Sequence, residues 1–205
     1  MTSLKDLLSV KIRGFLYVSS FVAILFAQNY CINVCPFIDG LSPIELTTNL
    51  GMIFVFHLIV REIIYKKYNV SWGTVSLPRQ AYYLSMLSWA LAGIAAFTLH
   101  AVKYPEFPIA SHLKILSGYW VLGAGVLAQL EYIVFEKYYK KMTKERPSEF
   151  FSEKISRRIL ESFFIFTLAP TFTLMMIITR YYSEGMVDLH VTFEVLYVGI
   201  LFVVV

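Results

Sequence analysis

Apolar residues run along this chain in blocks about twenty long, broken by short polar joints, rather than in the three-and-four spacing of a half-buried helix. The blocks fall near 14–35, 46–65, 80–100, 113–136, 159–179 and 189–205. A helix rising about 1.5 Å per residue needs roughly twenty residues to cross about 30 Å of hydrocarbon. Each block is long enough. A strand-built barrel would show alternation instead, so helices are expected throughout. The joints carry breakers: Pro36 and Pro43, Pro78, Pro105 and Pro108, Pro147, and Gly185 before the last block. The fold class predicted is an all-α polytopic membrane helix bundle, a single domain over residues 1–205 with about six transmembrane helices.

Charge then orients the bundle. With the N-terminus inside, the inner segments hold Lys5, Lys11 and Arg13, then Arg61, Lys66, Lys67 and Arg79, then Lys137, Lys140, Lys141, Lys144, Arg146, Lys154, Arg157 and Arg158. Only Lys103, Lys114 and Arg180 of the 18 basic residues are left outside. Excess Lys and Arg in cytoplasmic loops predicts that both termini are cytoplasmic. The sixth block is apolar to Val205, with no basic anchor, and is expected to be an incomplete span whose continuation enters the cytoplasm. Composition agrees: 58% of residues are hydrophobic, 17% aromatic and 16% charged. The net charge of +4 is explained by orientation, so no nucleic acid partner is expected.

An internal echo sharpens the picture. The segment from Val60 to Lys67 returns from Val134 to Lys141, with Glu62, Tyr65, Lys66 and Lys67 matched by Glu136, Tyr139, Lys140 and Lys141. This is either a parallel repeat or the common Tyr–Lys ending of a span. The same register sets His57 opposite Glu131, both inside the membrane, where an ionisable group is costly and faces a partner. The expected intramembrane polar cluster is His57, Gln129 and Glu131. His57 and Glu131 are expected to approach each other, as a proton-sensitive latch or as a neutral pair that only holds helix register. Glu62, Lys66, Lys67, Glu136, Lys140, Lys141, Arg157 and Arg158 mark the cytoplasmic interface, where local ion pairs contribute little to stability. Pro170 is expected to kink the fifth span. Ala92 and Ala96, and Ala124 and Ala128, offer small faces for close packing.

Candidate chemistry is sparse. His100, His112 and His190 stand at the outer ends of spans and are weak candidates for a metal site. A bis-histidine haem is disfavoured because only His57 lies deep, and no cofactor is expected. Cys31 and Cys35 suit a disulfide or idle thiols better than redox sensing. No nucleophile elbow, paired-histidine metal motif or phosphate loop is present, so no catalytic residue is assigned.

The stretch Gly118-Tyr-Trp-Val-Leu-Gly-Ala-Gly125, the Phe135-Glu136 exit with its basic run, Arg157-Arg158-Ile-Leu and Leu168-Ala169-Pro170 resemble the membrane region of bacterial six-span, HAMP-linked class III adenylate and guanylate cyclases. Leu77-Pro78-Arg79 and Trp89 are similar to that family's third span. The resemblance covers about residues 76–180. It departs at Lys140-Lys141-Met142, where the family often has Arg-Pro. It implies a dimeric sensory and anchoring domain in the bacterial inner membrane, with a HAMP linker and cyclase following in cis. A small transporter or channel is the alternative, with the polar cluster lining its path; an intramembrane enzyme is the third.

Overall fold

The computed structural model describes residues 10–67, 77–142 and 155–183, with Gly185 and Asp188. The described elements are helical: α1 (Val10–Val34), α2 (Pro36–Asp39), α3 (Pro43–Lys67), α4 (Leu77–Lys103), α5 (Ile109–Gly118), a π-helical segment (Tyr119–Leu127), α6 (Ala128–Met142) and α7 (Ile155–Ser183). α5, the π segment and α6 form one continuous rod. Among the described residues, four helices are long and apolar enough to cross a membrane: 12–34, 43–67, 77–103 and 109–141. α7 corresponds to the fifth block. The sixth lies outside the described residues.

The ends are set by local chemistry. Pro36 disfavours helix at the residue before it, and Cys35 is extended with φ −133° and ψ 109°. α3 opens on Ser42-Pro43-Ile44-Glu45, a reciprocal cap. Glu45 Oε2 accepts from the Ser42 amide at 3.0 Å and its hydroxyl at 2.7 Å, and the Glu45 amide donates to Ser42 Oγ at 3.3 Å. Gly185 follows α7, and the turn foreseen there takes a left-handed conformation with φ 72°.

The helices run up and down. At the lysine-rich end, Glu62 near the close of α3 meets Tyr17 (2.7 Å) and Arg13 (3.9 Å) near the start of α1. At the other end, Lys103 of α4 donates to Asn49 of α3 at 2.8 Å. α4 is central, packing against α3, α5, the π segment and α6. Its sequence explains this: Ala81, Ser85, Ser88, Ala92, Gly93 and Ala96 form a buried small-residue seam that admits neighbouring backbones.

The outward faces are apolar. Val18, Phe26, Ile44, Val55, Ile63 and Val102 are all more than half exposed. α3 is inside-out: Asn49, Ile53, His57 and Arg61, four residues apart, are buried, while Val55, Ile59 and Ile63 face outward. Water would not stabilise that arrangement; lipid does.

The rod was expected to be plain α-helix, yet it widens at Tyr119–Leu127. Three glycines set its approach to neighbours. A Cβ on Gly118 would sit 2.6 Å from the Tyr30 ring, one on Gly123 2.6 Å from the Trp89 ring, and one on Gly93 2.8 Å from Trp120. Trp89 is fully buried and cannot yield, whereas Trp120 is nearly half exposed. Gly123→Ala and Gly118→Ala should therefore each cost about 1–3 kcal/mol, the range for overpacking, and Gly93→Ala less. Detergent-solubilised melting temperatures of the three variants test this ranking.

Candidate functional site

α3 carries the core of the site because its four-residue spacing aligns His57 and Arg61 on the buried face. Arg61 belongs to the inner basic group by sequence, but its side chain turns back into the bundle and is only 1% exposed. Its Nη2 meets Glu131 Oε2 of α6 at 2.5 Å, and Glu131 is 2% exposed. Nη2 also donates to Ser85 Oγ of α4 at 3.1 Å, and Nη1 to Ser20 Oγ of α1 at 2.8 Å. Ser85 donates to Glu131 Oε2, and Ser19 to Glu131 Oε1 at 3.4 Å. Four helices thus meet on one ion pair.

His57 joins from one turn above. Its Nε2 lies 3.3 Å from Ser20 Oγ, and its ring stacks on Trp89 with centroids 4.1 Å apart. His57 and Glu131 are therefore linked through Ser20 and Arg61, with no direct hydrogen bond between them among the described residues. Gln129 is buried as well, but it stands two residues from Glu131 on another face of α6. Its Oε1 has no partner among the described residues, and neither do His57 Nδ1 and Arg61 Nε. The network is dense around the carboxylate and has spare polar atoms at its edges.

Removing water from two charges costs several kcal/mol per ion. The three serines offset part of that by occupying oxygens and N–H groups that hydration would otherwise fill. Sequence reasoning found His57 and Glu131 but missed Arg61, Ser19, Ser20 and Ser85. The Asn49–Ile53–His57–Arg61 stripe was an available signal for Arg61. The serines carried none, since a hydroxyl in a span commonly bonds its own helix.

The other foreseen residues are dispersed. Glu62 pairs with α1, Lys140 pairs with Glu136 at 2.9 Å, and Lys66, Lys67 and Lys141 are exposed at the same end. Arg157 and Arg158 fall in α7, with side chains outside the described residues. Pro170 lies inside α7 and is exposed. Cys31 and Cys35 are buried free thiols. His100 and His112 pack with Tyr104, Phe97 and Phe107; His190 lies outside the described residues. No group of three or more His, Cys, Asp or Glu suited to a metal occurs among the described residues.

Two basic residues at the end opposite the lysines, Lys114 and Arg180, have structural duties. Lys114 Nζ donates to the Val34 carbonyl at 2.9 Å and Arg180 Nη1 to the Ile32 carbonyl at 2.6 Å. Both carbonyls belong to the last turn of α1, which lacks helical partners and carries the negative end of the dipole. Arg180 also holds Asp39 at 2.9 Å, tying α7 to α2.

An apolar, up-and-down bundle joined on a buried charge pair suits a membrane-embedded input module. The MASE10 family, whose members are membrane-associated sensor domains, matches residues 19–197. The chain belongs to the MASE10 family. No curated protein and no solved structure matches it. The matched range of the MASE10 domain includes Ser19, Ser20, His57, Arg61, Ser85 and Glu131, so the whole network lies within it.

Breaking one partner of a buried pair leaves a lone charge and costs about 3–5 kcal/mol, whereas replacing both with apolar residues is often neutral. Arg61→Met and Glu131→Leu should each sharply lower thermal stability in detergent. The double variant R61M/E131L should recover most of the loss. A double-mutant cycle on melting temperature measures the coupling.

Proposed function

We propose that this MASE10 domain is the sensory and anchoring part of a signalling enzyme, and that the Arg61–Glu131 network is the element biased by the signal. The carrying observation is that one buried ion pair joins α1, α3, α4 and α6, so the packing of four helices depends on one set of contacts. The spare atoms His57 Nδ1 and Arg61 Nε give a second arrangement somewhere to bond. A signal can act only by favouring one arrangement over the other. Pro170 supplies a hinge or bend in the fifth span.

The finer reading is a six-span bundle in the bacterial inner membrane, both ends cytoplasmic, working as a homodimer. The fifteen basic residues assigned to inner segments support the orientation. The output proposed is an adenylate or guanylate cyclase reached through a HAMP linker in cis. The resemblance at Gly118–Gly125, Phe135-Glu136 and Pro170 supports it. A transporter reading would be favoured by a cavity lined by His57, Arg61 and Glu131. Two cavities among the described residues, the lateral one included, are lined by other side chains.

The test uses membranes carrying the full parent protein, assayed for cAMP and cGMP formation. R61M/E131L, inserted at the native level, should shift the basal rate about fivefold or more, as coupling of 1–3 kcal/mol corresponds to roughly 5–150-fold. Formation of neither nucleotide removes the cyclase. An unchanged rate removes the network from the signal path.

A further inference from the structure

A lateral cavity of about 420 Å³ opens between α1, the π segment with α6, and α7. Its size falls in the range of small-molecule sites. Phe26, Asn29, Tyr30 and Asn33 line it from α1, with Leu127 and Ile177 opposite, and no lining residue is charged.

The polar groups in this wall are misplaced for a lipid-facing surface. Asn29 is exposed, yet it lies five residues inside the end of α1, about 7.5 Å at 1.5 Å per residue. Asn33 Nδ2 donates to the Asn29 carbonyl at 2.8 Å and to Asn29 Oδ1 at 3.2 Å. That occupies the acceptor of Asn29 and leaves its own N–H groups without a partner among the described residues. The Tyr30 hydroxyl is buried with Ser117 beside it, and makes no full-strength hydrogen bond among the described residues. Unmet donors cost free energy in hydrocarbon, so their natural complement is a neutral acceptor that partitions into lipid.

We infer that this cavity binds an alkyl or isoprenoid quinone, its carbonyl oxygens accepting from Asn29 and Tyr30 and its tail lying along Leu127 and Ile177. The lining offers no cation for a phospholipid phosphate or a fatty-acid carboxylate. Phe26 and Tyr30 supply aromatic faces for a planar ring. The site rests on the sensor reading above only in being offered as its stimulus port. Leu127 closes the π segment, and Glu131 follows one turn later on the same rod, so an occupant that moves the segment also moves the ion pair.

The purified chain in lipid nanodiscs is photolabelled with an azide-bearing decylbenzoquinone and mapped by mass spectrometry. Saturable labelling within 26–33, 122–130 or 173–177, displaced by unlabelled decylbenzoquinone, is expected. Asn29→Leu, on an exposed position, should weaken binding by about tenfold, the upper effect of one neutral hydrogen bond. Tyr30→Phe should weaken it while keeping the ring. Labelling scattered over the lipid-facing surface, labelling untouched by both variants, or equal displacement by diacylglycerol overturns the assignment. So does cross-linking of a cysteine at Val126 to residues 189–205 with no quinone labelling, which makes the chain itself the occupant. Since labelling is read without any enzymatic output, it can succeed while the cyclase assay fails, or fail while that assay succeeds.

Discussion

A guanidinium and a carboxylate taken into a membrane protein's interior must find each other and must also replace the water both have lost. In this bundle that requirement gathers helices remote in sequence. Arg61 cannot be satisfied by α3, nor Glu131 by α6. Ser19, Ser20 and Ser85 complete the set only when α1 and α4 are close enough to deliver short hydroxyls. The geometry is thus over-determined at one depth, where four helices converge. A pair this well surrounded contributes less to net stability than to selecting one packing over others, because apolar residues of equal volume would serve stability as well.

Close approach elsewhere is what lets short side chains reach. Lipid gives helices no hydrophobic reason to associate, so dispersion contacts across small residues carry the packing. The seam on α4 and the glycines of the rod do this work, with Tyr30 lying on Gly118 and Trp89 on Gly123. Trp89 then presents its other neighbour, the His57 ring, to the network. Packing and polarity are therefore coupled through one buried aromatic. The π segment contains the Gly123 contact and lies between Gly118 and Glu131, and such wide turns are concentrated at functional positions.

Membership of a sensor family gives the domain a role without naming its stimulus. The two ends of the bundle divide the charge differently. One end gathers exposed lysines and peripheral pairs such as Lys140 with Glu136. At the other, Lys114 and Arg180 are drawn onto the open carbonyls of α1. Their presence there reflects a helix end in need of donors.

The helices over the first four apolar blocks and the interior positions of His57 and Glu131 were legible in the residues, because block length and the cost of burying an ionisable group are local properties. α3 and α4 run a few residues beyond their apolar blocks, since interfacial residues such as Lys66, Lys67 and Lys103 continue the backbone hydrogen bonds after the hydrophobic stretch ends, whereas α1 stops at Val34 before Pro36. The partner of Glu131 was not legible. A register argument chose His57, but the longer side chain of Arg61, one turn along the same face, reaches the carboxylate and leaves His57 to Ser20 and Trp89. The widening at Tyr119–Leu127 was equally hidden, because helix period is altered there by neighbours packing on glycine and not by any residue's own preference. The sequence alone determined that lipid is the solvent and which residues must avoid it. Only the tertiary structure decided who meets whom, because pairing depends on distances between helices that no stretch of chain contains.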